Sequence, residues 1–67
     1  MYKVSQRIKE IRTEKKLNQS EFGKSLSVSQ DTISLWENGK SLPNTEFIIS
    51  ICQIYNVSAD YLLGLED

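Results

Sequence analysis

The chain has 67 residues, 39% of them apolar, with 8 Lys+Arg against 9 Asp+Glu, no His and one Cys. A chain this short buries only about 60% of the surface its unfolded form exposes, so residues 1–67 are expected to form a single domain around one core. Cys52 alone, in a chain without His, excludes a zinc site of about four ligands and an internal disulfide. Uninterrupted apolar runs reach three residues (Phe47-Ile48-Ile49, Tyr61-Leu62-Leu63), far below the roughly 18 of a membrane span. The first residues, with Lys3, Arg7 and Lys9 among them, lack an apolar signal region. The expectation is a cytoplasmic protein with no cofactor, no metal and no membrane partner.

Taken in chain order, the pattern is helical throughout. Val4, Ile8 and Ile11 recur at spacings of four and three, the stripe of an amphipathic helix predicted over Val4–Lys16. Asn18, with Glu21 three residues on, forms a capping-box pattern that opens a second helix, Gln19–Leu26, whose buried face is Phe22 and Leu26. Ser27-Val28-Ser29 breaks the chain, and Ser29 caps a third helix, Gln30–Asn38, with Ile33 and Trp36 turned inward. Gly39 suits the left-handed residue after a helix, and Pro43 prevents continuation. Asn44 caps a fourth helix to Tyr55, with Ile48, Ile51, Cys52 and Tyr55 as its inner stripe. Ser58 caps a short fifth helix, Ala59–Leu63, with Asp60 near its positive end, and Gly64 closes it. No segment alternates as a half-buried strand does. The predicted fold is all-α, five short helices in one compact domain.

The second and third helices and the break between them, about residues 19–38, have the length and turn of a helix-turn-helix. Gly23 supplies the small residue where the two helices cross, and Phe22, Leu26, Val28 and Ile33 lock them together. With Ile33, Trp36 and Glu37 on the inner side, Gln30, Asp31, Ser34 and Leu35 form a separate outer stripe at 100° per residue. That stripe starts at the helix N-terminus, where a recognition helix places its base-reading side chains. Gln30 offers an amide donor and acceptor to adenine, Leu35 an apolar contact for a thymine methyl, and Asp31 an acceptor for cytosine. Asp31 has an equally simple role as a first-turn carboxylate favoured by the helix dipole.

Charge is unevenly placed. Residues 1–40 carry all eight cations and five acids, a local +3, whereas residues 41–67 carry four acids and no cation, −4. A polyanion would meet the first part and be repelled by the second; a chance asymmetry of a solvated surface is the plainer alternative.

Three blocks then resemble a known family: Leu17-Asn18-Gln19-Ser20-Glu21, Thr32 through Lys40, and Val57 through Gly64. In order and spacing they are similar to the phage Cro/repressor-type, lambda-repressor-like helix-turn-helix proteins, also called the XRE family, over Val4–Gly64. The resemblance implies that Gln19 holds a DNA phosphate with its side chain and backbone, that Gln30, Asp31, Ser34 and Leu35 face the major groove, and that Asn38 and Lys40 clamp the backbone. Lys24 is a further phosphate candidate, or simply a solvated lysine. Arg12 and Glu37 match a structural ion pair. Two departures stand out: Ser27 where the family usually has a turn Gly at positive φ, and Gly23 in place of a common Ala, at a helix cost of up to about 1 kcal/mol. Cys52 falls at a small, buried position, which implies packing.

The expected function is sequence-specific binding of double-stranded DNA as a transcriptional regulator, repressing a phage or bacterial operator. A monomer with few phosphate contacts binds weakly, so a homodimer on a two-fold symmetric operator is expected, through a surface at about residues 47–65 in which Phe47, Ile49, Ile54, Leu63 and Leu65 exceed what the inner stripes need. Scattered exposed apolar residues are the ordinary alternative. The competing function is a protein-interaction module, such as an antitoxin-like partner using the fourth and fifth helices. Enzymatic activity is not expected: there is no His and no Gly-rich phosphate loop, and Glu10 and Glu14 lie among Lys and Arg on a solvent face.

Overall fold

A computed structural model describes residues 2–66; Met1 and Asp67, the ends of the expected domain, lie outside the described residues. Five helices follow in order: α1 Lys3–Glu14, α2 Gln19–Ser25, α3 Gln30–Glu37, α4 Thr45–Tyr55 and α5 Ala59–Leu63. No strand occurs among the described residues. Each helix contributes one fully buried apolar side chain to a common centre, Ile8, Phe22, Ile33, Ile51 and Leu62. Val4, Ile11, Leu26 and Trp36 complete this core. α2 packs on α3, α1 bridges α3 and α5, and α4 lies against α5.

Helices this short are marginal in isolation, so their ends are fixed by local chemistry. The side chains of Asn18, Ser29, Asn44 and Ser58 each accept the N–H three residues on. Asn18 and Glu21 form the full reciprocal capping box. Every helix then stops on a left-handed residue: Lys16, Ser27, Gly39, Asn56 and Gly64. In each case the following N–H reaches back five residues, as from Leu17 to Arg12 and from Val28 to Gly23, the Schellman closure.

These closures correct three predicted helix ends, and packing thins a predicted inner stripe. α1 ends at Glu14 rather than Lys16, because Lys16 turns left-handed at φ 59° and delivers Leu17 to the next cap. Leu26 and Asn38 are end caps, one residue past α2 and α3. Within α4 only Ile51 is fully covered, while Ile48, Cys52 and Tyr55 are half-buried. Tyr55 stacks on Phe22 with ring centroids 5.0 Å apart, and its hydroxyl meets the Ser25 Oγ.

Gly23 is more than a weak helix former. A Cβ there would stand 2.7 Å from the Val28 carbonyl oxygen and 3.3 Å from that of Ser29. The chain entering α3 therefore passes directly over α2, and the glycine permits that approach. Helix propensity alone predicts that Gly23→Ala stabilises by up to about 1 kcal/mol. We expect the opposite sign, a loss of about 1–3 kcal/mol from the backbone displacement, read from the urea midpoint; a raised midpoint would contradict this packing. By contrast, Ser27→Gly, at φ 61°, should raise stability by about 1 kcal/mol in the same measurement.

Candidate nucleic-acid interface

The helix-turn-helix presents its outer face from a frame locked on the inside. Ile33, Trp36 and Glu37 are buried, which leaves the opposite side of α3 to solvent. Gln30 and Asp31 are exposed, Leu35 is 43% exposed and Ser34 half-buried. Gln30 and Asp31 make no side-chain hydrogen bond among the described residues. Thr32, between them and Ser34, is instead turned back onto the Ser29 cap at 3.1 Å. Asn38 donates from Nδ2 to the Ser34 Oγ at 3.3 Å, so these two predicted site residues are coupled.

The flanking candidates lie on different elements. Lys24 is exposed in the last turn of α2. Lys40 is exposed just past α3, where its N–H and that of Ser41 both donate to the Leu35 carbonyl. That closure fixes the backbone after α3 and with it the root of the Lys40 side chain. Gln19, the first residue of α2, is half-buried. Its Nε2 donates to the Glu37 Oε1 at 3.2 Å, a link that spacing along the chain does not reveal.

Beneath this face sits the ion pair. Arg12 of α1 binds Glu37 of α3 through two parallel bonds, Nε to Oε2 at 2.6 Å and Nη2 to Oε1 at 3.0 Å. Both side chains are nearly covered, 13% and 4% exposed. Arg12 also donates from Nη1 to the Leu17 carbonyl at 2.9 Å. The hydrogen bond that Arg12 donates to Glu37 raises the Arg12 pKa, against the opposing effect of burial. One guanidinium thus ties α1, the α1–α2 turn and α3 together.

The expected C-terminal surface is only partly free. Phe47, assigned there from the sequence, is half-buried and packs on Trp36 with centroids 5.3 Å apart; it belongs to the core margin. Ile49, Ile54, Leu63 and Leu65 are exposed by 51, 50, 43 and 73%. Leu42, not singled out by pattern, is 43% exposed and joins Leu63, Val4, Pro43, Thr45 and Ile48 around an apolar groove. Glu10 is not merely solvated: the Tyr61 hydroxyl donates to its Oε2 at 3.1 Å. Arg7 stands 4.3 Å over the Tyr61 ring and 3.7 Å from Glu10, joining α1 to α5. Burial pushes the Cys52 thiol pKa up, which keeps it neutral and suits packing. Among the described residues no group of His, Cys, Asp and Glu gathers to hold a metal, and no helix is long and apolar enough to cross a membrane.

A fold of five helices with a helix-turn-helix at α2–α3 is what a family model described as "Helix-turn-helix" matches, over residues 8–62. The chain belongs to this helix-turn-helix family. It is 36% identical over 63 residues to the HTH-type transcriptional activator BcrR of Enterococcus faecalis, covering 94% of this chain and 31% of that protein. It is 38% identical over 61 residues to the antitoxin PezA of Streptococcus pneumoniae, covering 91% of this chain and 39% of PezA. The chain thus spans about a third of the length of these curated relatives. A crystal structure of the P22 c2 repressor in complex with synthetic operator 9T superposes with a TM-score of 0.85 at 33% identity, over 94% of this chain and 96% of that one.

The buried pair dictates a sharp mutational contrast. Arg12→Met leaves the Glu37 carboxylate buried and uncompensated, and should cost about 3–5 kcal/mol. A domain of this length has about 3–10 kcal/mol to lose, so the single variant should be largely unfolded by circular dichroism near 37 °C. Arg12→Met with Glu37→Met removes both charges and should recover most of the stability. Equal losses in the single and double variants would show that the pair's charge balance is not what matters.

Proposed function

We propose that this chain is a DNA-binding transcriptional regulator that sets α3 in the major groove of double-stranded DNA. The observation that carries the reading is the solvent-facing stripe of Gln30, Asp31, Ser34 and Leu35 on a helix whose other side is locked into the core. Lys24, Lys40, Gln19 and Asn38 are the phosphate contacts that hold the stripe in register, and base contacts from the stripe give the specificity. The similarity to a repressor whose structure contains operator DNA supports the same partner here. Repression of a phage or bacterial operator is the mode we propose, with activation, as named for BcrR, the alternative outcome. Such a partner places the protein in the cytoplasm.

The chain acts as a homodimer on a two-fold symmetric site, with half-sites about 34 Å apart. Ile49, Ile54, Leu63 and Leu65 are the dimer candidates; Phe47 is already committed to Trp36. The acidic balance of residues 41–67 suits a surface directed away from DNA. The similarity to PezA favours one second reading, an antitoxin-like partner role using α4 and α5, which coexists with DNA binding.

Selection of bound duplexes from a random pool should enrich a two-fold symmetric motif; no enrichment by the folded protein would sink the regulator reading. If Lys24 and Lys40 of each protomer neutralise about two phosphates, log K should fall with log salt at a slope near −3.6. Lys40→Ala in both protomers should reduce that slope to about −1.8. Gln30→Ala should leave helicity and slope unchanged while relaxing base preference, at about 1–3 kcal/mol of discrimination.

A further inference from the structure

We propose that Glu37 is a positioning residue for DNA binding: it holds one hydrogen of the Gln19 side-chain amide and so aims the other at a backbone phosphate. This rests on the reading of Gln19 as a phosphate contact. Glu37 itself never touches DNA, since its side chain is 4% exposed.

The geometry builds the amide's orientation in three steps. The guanidinium of Arg12 is first pinned by the Leu17 carbonyl at 2.9 Å. Its Nε and Nη2 then meet the two carboxylate oxygens of Glu37 at 2.6 and 3.0 Å, and this fork fixes the plane of the carboxylate. Oε1 retains a further lone pair, and Gln19 Nε2 donates to it at 3.2 Å. A carboxylate only accepts, so the nitrogen of the Gln19 amide must face Glu37. The second Nε2 hydrogen is thereby directed away from the carboxylate, available to an acceptor outside.

Two physical consequences make this more than a packing contact. A glutamine held before DNA arrives has already lost its rotamer freedom in folding, so less is lost on binding. The charge of Glu37 is also balanced at contact distance by Arg12, so a phosphate approaching Gln19 does not meet an unpaired carboxylate. The exposed Gln6 and Gln30 have no such partner among the described residues.

The test is a double-mutant cycle on DNA affinity, using the full chain with both a mixed-sequence duplex and the duplex recovered by selection. The four proteins are the unaltered chain, Gln19→Ala, Arg12→Met with Glu37→Met, and the three substitutions combined. Gln19→Ala should weaken binding about fivefold in the unaltered background. In the apolar-pair background the same substitution should change affinity by less than about twofold. A pair that merely holds the helices together would lower affinity overall yet leave the Gln19→Ala effect intact, and an equal effect in both backgrounds overturns the proposal. No effect of Gln19→Ala in a chain that binds DNA also overturns it, while sparing the wider reading; an unaltered chain that binds neither duplex removes both. Should the apolar-pair variant fail to melt cooperatively, nuclear relaxation of the Gln19 side-chain amide in the unaltered protein decides. An amide as rigid as the backbone supports the proposal, and one as mobile as that of Gln6 overturns it.

Discussion

The Arg12–Glu37 pair is the constraint on which the rest of the architecture depends. Two nearly covered charges are tolerable only because they meet in a bidentate fork, since an uncompensated buried charge costs several kcal/mol. The fork has one geometry, and satisfying it sets where α3 ends relative to α1. The third Arg12 bond, to the Leu17 carbonyl, carries that geometry into the turn that starts α2. The helix-turn-helix is therefore braced from below by a polar joint as well as by the apolar core that buries Phe22 and Ile33. An apolar core alone tolerates small slides between helices; a directional joint does not.

The same economy governs the helix ends. Helices of five to twelve residues have too few internal hydrogen bonds to persist alone. Each is delimited by a side-chain cap, a left-handed stop or both, so that turns of three or four residues deliver the chain into α2, α3 and α5, and a seven-residue loop leads into α4. In the turn from α2 to α3 the backbone itself crosses closely, because the Val28 carbonyl oxygen would stand 2.7 Å from a Cβ on residue 23. Close approach here brings the start of α3 over α2 and leaves the opposite side of α3 clear. The exposure of Gln30, Asp31 and Leu35 is thus a consequence of how α3 is held.

Membership of the helix-turn-helix family sets what such a face is for, while the particular side chains set how it operates. The stripe carries an amide, a carboxylate, a hydroxyl and an aliphatic group, a mixture suited to base edges rather than to a simple polyanion. Exposed cations lie at the end of α2, on Lys24, and just past α3, on Lys40. The lower third of the chain combines acidic charge with exposed Ile49, Ile54, Leu63 and Leu65, properties suited to meeting protein. The proposed contacts with nucleic acid and with a second polypeptide would in this way be separated along one short chain.

Much of this was legible in the sequence because it rests on local chemistry. Caps at Asn18, Ser29, Asn44 and Ser58, stops at Gly39 and Gly64, and the stripes Val4-Ile8-Ile11 and Ile33-Trp36 depend on neighbours a few residues away, and they placed all five helices. The outer stripe of α3 was legible for the same reason, since its periodicity follows from one helix. What spacing does not encode is contact between residues far apart in the chain. Lys16 looks like a helix residue until its φ is seen, and Phe47 looks surplus until Trp36 is found beneath it. Gly23 reads as a weakness of α2 until the Val28 carbonyl is located. The link from Gln19 to Glu37 spans 18 positions and exists only because α2 and α3 are crossed at one particular angle. Capping and periodicity, which are local, define the helices and the residues that could face a ligand. Which of those residues are free and which are held emerges in three dimensions, because packing and hydrogen-bond partnership are properties of distance in space.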